Sequence, residues 1–179
     1  TITGTNNVSI GCQTSRSLTS GTDNIYIGRQ AGDDNTTGHC QIYLGMWSGR
    51  YMRGDRNIAL GCQALYGSTT GSNNTGTRNV AFGNNAGQDI TSGSYNTFLG
   101  NCAGADSTTG SHNVAIGNCV CLASATGDTQ LAIGCGTSRW ISGDSSFNIK
   151  PGAGIKDNTD SVGTAGQFLQ SNGSAVVWA

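Results

Sequence analysis

One phrase recurs along most of the chain and decides what it can fold into. It reads Gly, two free positions, a polar anchor, an apolar residue, a small residue, an apolar residue, Gly. The clearest copy is Gly110-Ser111-His112-Asn113-Val114-Ala115-Ile116-Gly117. Further copies open at Gly4, Gly21, Gly38, Gly54, Gly76, Gly93 and Gly127, and a worn ninth copy runs from Gly143 to Lys150. The anchors are Asn7, Asn24, Gln41, Asn57, Asn79, Asn96, Asn113, Gln130 and Ser146, so the steps are 17, 17, 16, 22, 17, 17, 17 and 16 residues. The long step holds an insertion, Tyr66 to Thr75. A period near 17 is too short for paired-helix or leucine-rich repeats and suits one coil of a β-solenoid.

The expected fold class is therefore all-β, a parallel β-solenoid or β-roll. Residues 1–150 would form about nine coils rising ~4.8 Å each, and 151–179 a short C-terminal cap or linker. The 29 glycines support this because they are positional. They open the phrase in all nine copies and close it in eight, which implies positive φ or close approach between coils. Collagen would need Gly every third residue. The only proline, Pro151, stands where the last strand would continue and reads as a stop. Beyond it, two apolar runs around Ser171-Asn172-Gly173 carry a hairpin signal. The chain begins within a phrase, as where a start is missing, and ends apolar at Val176-Val177-Trp178-Ala179, as either a packed tail or a chain that continues would.

Between anchor and closing Gly lie three residues, such as Ile25-Tyr26-Ile27. The outer two are apolar in every copy except at Thr97, and in a strand they point the same way. They are expected to line the inside of the coil. A second short strand is expected after each closing Gly, around the small residue three places on (Thr14, Ala31, Ser48, Ala64, Ala86, Ala103, Val120 and Thr137). The middle residues would then face outward. Ser9, Tyr26, Tyr43, Ala59, Ala81, Phe98, Ala115, Ala132 and Asn148 include no charge, four Ala and three aromatics. An outward row of that kind needs covering, and Tyr26, Tyr43, Ala59, Ala81, Phe98, Ala115 and Ala132 are expected to form a subunit interface. The anchors Asn7, Asn24, Gln41, Asn57, Asn79, Asn96, Asn113 and Gln130 are expected to stack as a structural amide ladder.

The net charge is −1 and only 11% of residues are charged, with no basic patch, so no nucleic-acid partner is expected. No apolar run approaches the ~20 residues of a membrane span, so no insertion is expected. Seven cysteines cannot all pair within one chain. Cys12, Cys62 and Cys135 share a column but lie at least ~14 Å apart, beyond the ~7 Å a disulfide spans. Cys102 and Cys119 stand on adjacent coils and are near enough on distance alone. Most of these thiols read as small apolar fillers in a reduced setting.

Several local motifs are weaker than the repeat that contains them. Arg53-Gly54-Asp55 matches an integrin-binding tripeptide, but Gly54 is the repeat glycine. Cys119-Val120-Cys121 with His112 falls short of the four ligands of a zinc site. Neither histidine, His39 or His112, can be joined by spacing to a nucleophile and an orienting group, so no enzyme and no cofactor is expected. Asn7, Asn35, Asn73 and Asn172 begin glycosylation sequons. The insertion is expected to loop outward without breaking the stack. Tyr66, Ser68, Thr69, Thr70, Asn73 and Asn74 on it are the candidate receptor contact.

The phrase Asn113-Val114-Ala115-Ile116-Gly117 resembles the head repeats of trimeric autotransporter adhesins, which implies trimers of left-handed parallel β-rolls. The run Ala103-Gly104-Ala105-Asp106-Ser107-Thr108-Thr109-Gly110 is similar to repeats in tail fibres of tailed phages. The segment from Gly143-Asp144-Ser145-Ser146-Phe147-Asn148 through Lys150-Pro151-Gly152-Ala153-Gly154 and Gly166-Gln167-Phe168-Leu169 to Trp178-Ala179 resembles fibre-like proteins of phages infecting cyanobacteria. The resemblance implies a homotrimeric tail-fibre segment on a virion, joined to other fibre or baseplate proteins. It also implies contact with a host surface receptor, glycans included. The alternatives are a bacterial surface adhesin or self-assembling extracellular filament, and an ice-binding solenoid using Thr19, Thr36, Thr91 and Thr108.

Overall fold

The computed structural model describes residues 3–69, 74–153, 169–171 and 176–178. It is a β-solenoid, and no helix occurs among the described residues. Eight strands, one per phrase, are β1 (Val8–Ile10), β2 (Ile25–Ile27), β3 (Ile42–Leu44), β4 (Ile58–Leu60), β5 (Val80–Phe82), β6 (Thr97–Leu99), β7 (Val114–Ile116) and β8 (Leu131–Cys135). They pair in sequence order, parallel and in register, so that Tyr26 lies beside Tyr43 and Ala115 beside Ala132. The insertion leaves the register intact, with Ile58 beside Val80.

The worn ninth copy does not add a coil. β9 (Ser138–Gly143) turns back antiparallel on β8 through a bulge at Ile133/Gly134, and β10 (Ile149–Pro151) pairs antiparallel with β9. Pro151 thus sits on an edge strand, where its missing N–H is tolerated. The anticipated ninth anchor, Ser146, lies in the β9–β10 turn, its N–H donating to Asp144 Oδ1 at 2.9 Å. A separate two-stranded sheet joins β11 (Leu169–Ser171) and β12 (Val176–Trp178). The turn expected between them lies outside the described residues.

The coil closes because the backbone bends sharply at fixed places. The residue before each anchor is left-handed although none is Gly: Asn6, Asp23, Cys40, Arg56, Arg78, Tyr95, His112 and Thr129 have φ between 55° and 60°. Each such corner costs ~1–2 kcal/mol. From the second coil onward its N–H is held by the preceding coil, as Arg56 N–H donates to His39 O at 2.9 Å. The expected second strand is instead a turn with further left-handed residues, Gln30 and Gly32 in the second coil and Trp47 and Gly49 in the third. These turns still stack, since Gly32 N–H donates to Ser48 O at 3.0 Å. The two glycine columns have different reasons. Closing Gly28 has φ 134°, and a Cβ on it would stand 2.5 Å from Gly45 O. Opening Gly93 needs only the close approach, because a Cβ there would collide with Gly110 O.

The strand faces are the reverse of the expectation. The middle residues Tyr26, Tyr43, Ala59, Ala81, Phe98, Ala115 and Ala132 are buried inside the coil, at 0–1% exposure. They cannot form a subunit interface. Among the middle residues of β1–β8 only Ser9 is exposed, in the first of the described coils. The outer residues face solvent, with Val8, Ile10, Ile25, Leu60, Phe82 and Leu99 between 36% and 58% exposed. The physical reason is strand parity. Anchor, middle residue and closing Gly alternate onto one face. The anchor amide must reach backbone groups inside the coil, so the middle residue goes in with it. The interior is completed by Ala31, Ser48, Ala64, Ala86, Ala103 and Val120, by a third column that includes Leu18, Met52 and Ile90, and by Leu122.

Candidate functional site

Three features could carry function: the amide ladder, the outer face of the sheet, and the insertion. The ladder is a chain of staples. Asn96 N–H donates to Asn79 Oδ1 at 3.0 Å, and its Nδ2 donates to Gly110 O at 2.8 Å. Asn24, Asn79 and Asn113 repeat the pattern toward the anchor before them and the opening Gly of the next coil. Asn7 and Asn57 donate to Gly21 O and Gly76 O. Gln41 departs from the pattern. Its backbone N–H donates to Asn24 Oδ1, but its longer side chain turns Oε1 to the Tyr26 hydroxyl at 2.9 Å and to Asn35 Nδ2 at 2.6 Å. Its Nε2 donates to Gly54 O. Gln130 Nε2 closes the far end on Ser124 O and Gly127 O, both at 2.8 Å. From Asn24 to Gln130 these amides are buried and matched to backbone, so they hold coils together rather than present a ligand row.

The outer face is a continuous apolar surface of two columns. One is Val8, Ile25, Ile42, Ile58, Val80, Thr97, Val114 and Leu131, and the other starts at Ile10 and ends at Ile133. Of these sixteen positions only Thr97 is polar. At the exposures seen, the surface is on the order of 800 Å², against ~300–600 Å² for the largest patch on a typical monomer. It continues onto the antiparallel end through Ile141, Phe147 and Ile149, which are 38%, 81% and 61% exposed.

The insertion divides into a clamp and a wall. Asn74 is not a surface contact. It is 2% exposed, its Oδ1 accepts Ser68 N–H at 3.0 Å and its Nδ2 donates to Ser68 O at 2.8 Å. Gly67 (φ 79°) N–H donates to Gln88 O at 2.9 Å, and a Cβ there would press on the Asn74 amide. Tyr66, Ser68 and Thr69 line a cleft, and Thr70 and Asn73 lie outside the described residues. Tyr66 also meets an aromatic and cationic cluster that sequence reading missed. Its ring stands edge-on to Tyr51 at 5.0 Å and to Trp47 at 6.4 Å. The Arg50 guanidinium lies over Tyr51 and Trp47, and Arg29 lies over Trp47. Arg16 and Arg50 both pair with buried Asp33, at 3.1 and 3.7 Å. The signal was available in columns: Trp47, Tyr51 and Tyr66 stand at turn positions filled by polar or small residues in most other coils.

The remaining motifs are absorbed by the stack. Arg53 N–H donates to Asn74 O at 2.8 Å, Asp55 Oδ1 accepts His39 N–H at 2.9 Å, and a Cβ on Gly54 would strike Gly76 O. The tripeptide is part of the ladder rather than a projecting loop. Asn35 is fully buried, so its sequon is inaccessible in the folded chain, and Asn73 and Asn172 lie outside the described residues. His112 stacks on Tyr95 at 4.9 Å. Among the described residues no three His, Cys, Asp or Glu side chains gather as metal ligands, and all seven cysteines, Cys102 and Cys119 included, are free thiols. The hydroxyls of Thr19, Thr91 and Thr108 donate to the next coil's carbonyls at 3.0–3.3 Å. Met52 and Asn74 interrupt that threonine column with buried side chains.

Compared with known proteins, the chain matches no family model, no curated protein and no solved structure.

Proposed function

We propose that the chain is a structural segment of a homotrimeric virion fibre that helps a phage contact its host surface. The observation that carries this reading is the apolar outer face running the length of the parallel stack. A water-facing sheet should carry charges or threonines, and ~800 Å² per partner is what a stable interface buries. Three copies that turn this face to a common axis bury it in a closed assembly and leave the turns outward. The resemblance to adhesin heads favours three copies, and the resemblance to phage fibres favours the virion. Other fibre or baseplate proteins would continue the axis at the ends of the stack. An antibody raised against residues 3–153 tests the reading under the electron microscope. Label along a slender projection of a virion is expected. Label on a bacterial surface or on free filaments would overturn it in favour of an adhesin.

A further inference from the structure

The insertion builds a cleft of about 340 Å³ between itself and the turns of the fifth and sixth coils. That is within the ~300–1,000 Å³ of ligand pockets. Its lining includes Tyr66, Thr69, Gln88, Asp89, Thr91 and Thr108. The described wall residues are held by contacts of their own. Tyr66 is braced from behind by Tyr51 and Trp47, and Arg50 Nη1 donates to its hydroxyl at 3.5 Å. The described ends of the loop are joined by the buried Asn74 amide on both backbone groups of Ser68.

The chemistry of the lining selects among ligands. Thr91 and Thr108 spend their hydroxyl protons on Thr108 O and Ala125 O, so what they offer the cleft is lone pairs. Asp89 adds a carboxylate, and no Lys or Arg is among the described lining residues. Burial, and then the nearby Asp106 carboxylate, hold the Asp89 pKa above its ordinary value, so further negative charge is unwelcome here. The fitting ligand is uncharged, rich in hydroxyl donors, and has an apolar face to lay on an aromatic ring.

We propose that this cleft binds a neutral saccharide unit of a host-surface glycan. It rests on the attachment reading above only for where the saccharide comes from. The probes are maltotriose, mannotriose and N-acetylchitotriose, with trigalacturonate as the acidic arm, titrated calorimetrically into the full chain. At least one neutral trisaccharide should bind, with trigalacturonate at least tenfold weaker. Asp89→Asn and Tyr66→Ala should each weaken binding at least tenfold, while Tyr95→Ala, on another face, should not. Circular dichroism checks that the stack is intact, and if Tyr66→Ala unfolds, the exposed Asp89→Asn alone decides. No binding of any neutral probe, preference for trigalacturonate, or wild-type binding by Asp89→Asn would overturn the proposal. Saccharide binding lost in Asp89→Asn, with unchanged attachment of particles carrying that variant, would support the cleft and overturn the attachment reading instead.

Discussion

At the scale of single residues, the buried amides and hydroxyls inside the coil decide stability. Asn96 makes three ladder bonds and accepts a fourth from Asn113 N–H at 2.9 Å. Asn96→Leu strands the Gly110 carbonyl and the Asn113 N–H, which should cost ~1–3 kcal/mol. Asn118→Leu, at an exposed turn, should shift the melting temperature far less, and equal shifts would contradict the ladder. The two buried tyrosines differ in the same currency. Tyr26 donates to Gln41, whereas the Tyr43 hydroxyl points toward Asn57 without reaching hydrogen-bond geometry. Tyr43→Phe should therefore be neutral or stabilising at pH 7, and Tyr26→Phe destabilising by ~1 kcal/mol. Burial raises both phenol pKa values above the ordinary ~10. Their stabilisation is complete below pH ~10 and is lost as pH rises beyond it, because only the unfolded chain ionises there. Melting curves from pH 8 to 12 should show that fall reduced in the double Phe variant. The ladder was legible in the sequence because Asn and Gln recur in one column. The strand faces are harder to read, because the apolar outer pair suggests an inward face that parity with the anchor contradicts. Once Asn24 is inside, Tyr26, two residues on, must be inside as well.

At the scale of the coil, the interior is filled by compensation at a spacing of six residues. A Cβ on Gly32 would stand 2.8 Å from the Tyr26 ring, and Cβ atoms on Gly49 and Gly104 would collide with the rings of Tyr43 and Phe98. Where the middle residue is Ala59 the same turn position carries Leu65, fully buried despite φ 47°, whereas Ala81 goes with Gly87 because the Phe98 ring of the next coil fills that space. Each large residue on the strand (Tyr26, Tyr43 and Phe98) goes with Gly six residues on, a pattern visible in the sequence and a second sign that the middle residue points inward. Gly49→Ala should combine strain at φ 57° with the Tyr43 clash. Gly136→Ala, at φ 55° with open space around it, carries strain alone. We expect a ~1–2 kcal/mol loss at Gly136 and clearly more at Gly49. In a double-mutant cycle, Tyr43→Ala should recover part of the Gly49→Ala loss, and additivity within ~0.5 kcal/mol would refute the pairing. The cleft beside the insertion was harder to foresee. The 22-residue step marked the loop, but Gln88, Asp89, Thr91 and Thr108 come from other coils, and turn positions carry no periodic hydrophobic signal.

At the scale of the whole molecule, the question is what covers the outer face. The stack already buries its own core, so the two outer columns are not needed to hold a single coil together. That separates assembly from folding, and substitutions on the two faces should behave differently. Ala115 is fully buried beside Ala132, and a Glu there would place a charge in the coil interior with no partner. Ala115→Glu should unfold the stack or cost several kcal/mol. Leu99 is 44% exposed and Phe82 39%, on neighbouring strands in the same column. Glu at either position meets water in the single chain, so the fold should survive with its circular dichroism spectrum unchanged. In a closed trimer the same charges would be repeated three times around the axis and driven out of water against one another. Light scattering on the isolated 1–179 chain should therefore give three times the 18.3 kDa chain mass for the wild type. Phe82→Glu and Leu99→Glu should give the mass of one folded chain. A folded wild-type monomer would remove the basis for burying this face among copies. A trimer untouched by both charges would move the interface to another surface of the coil.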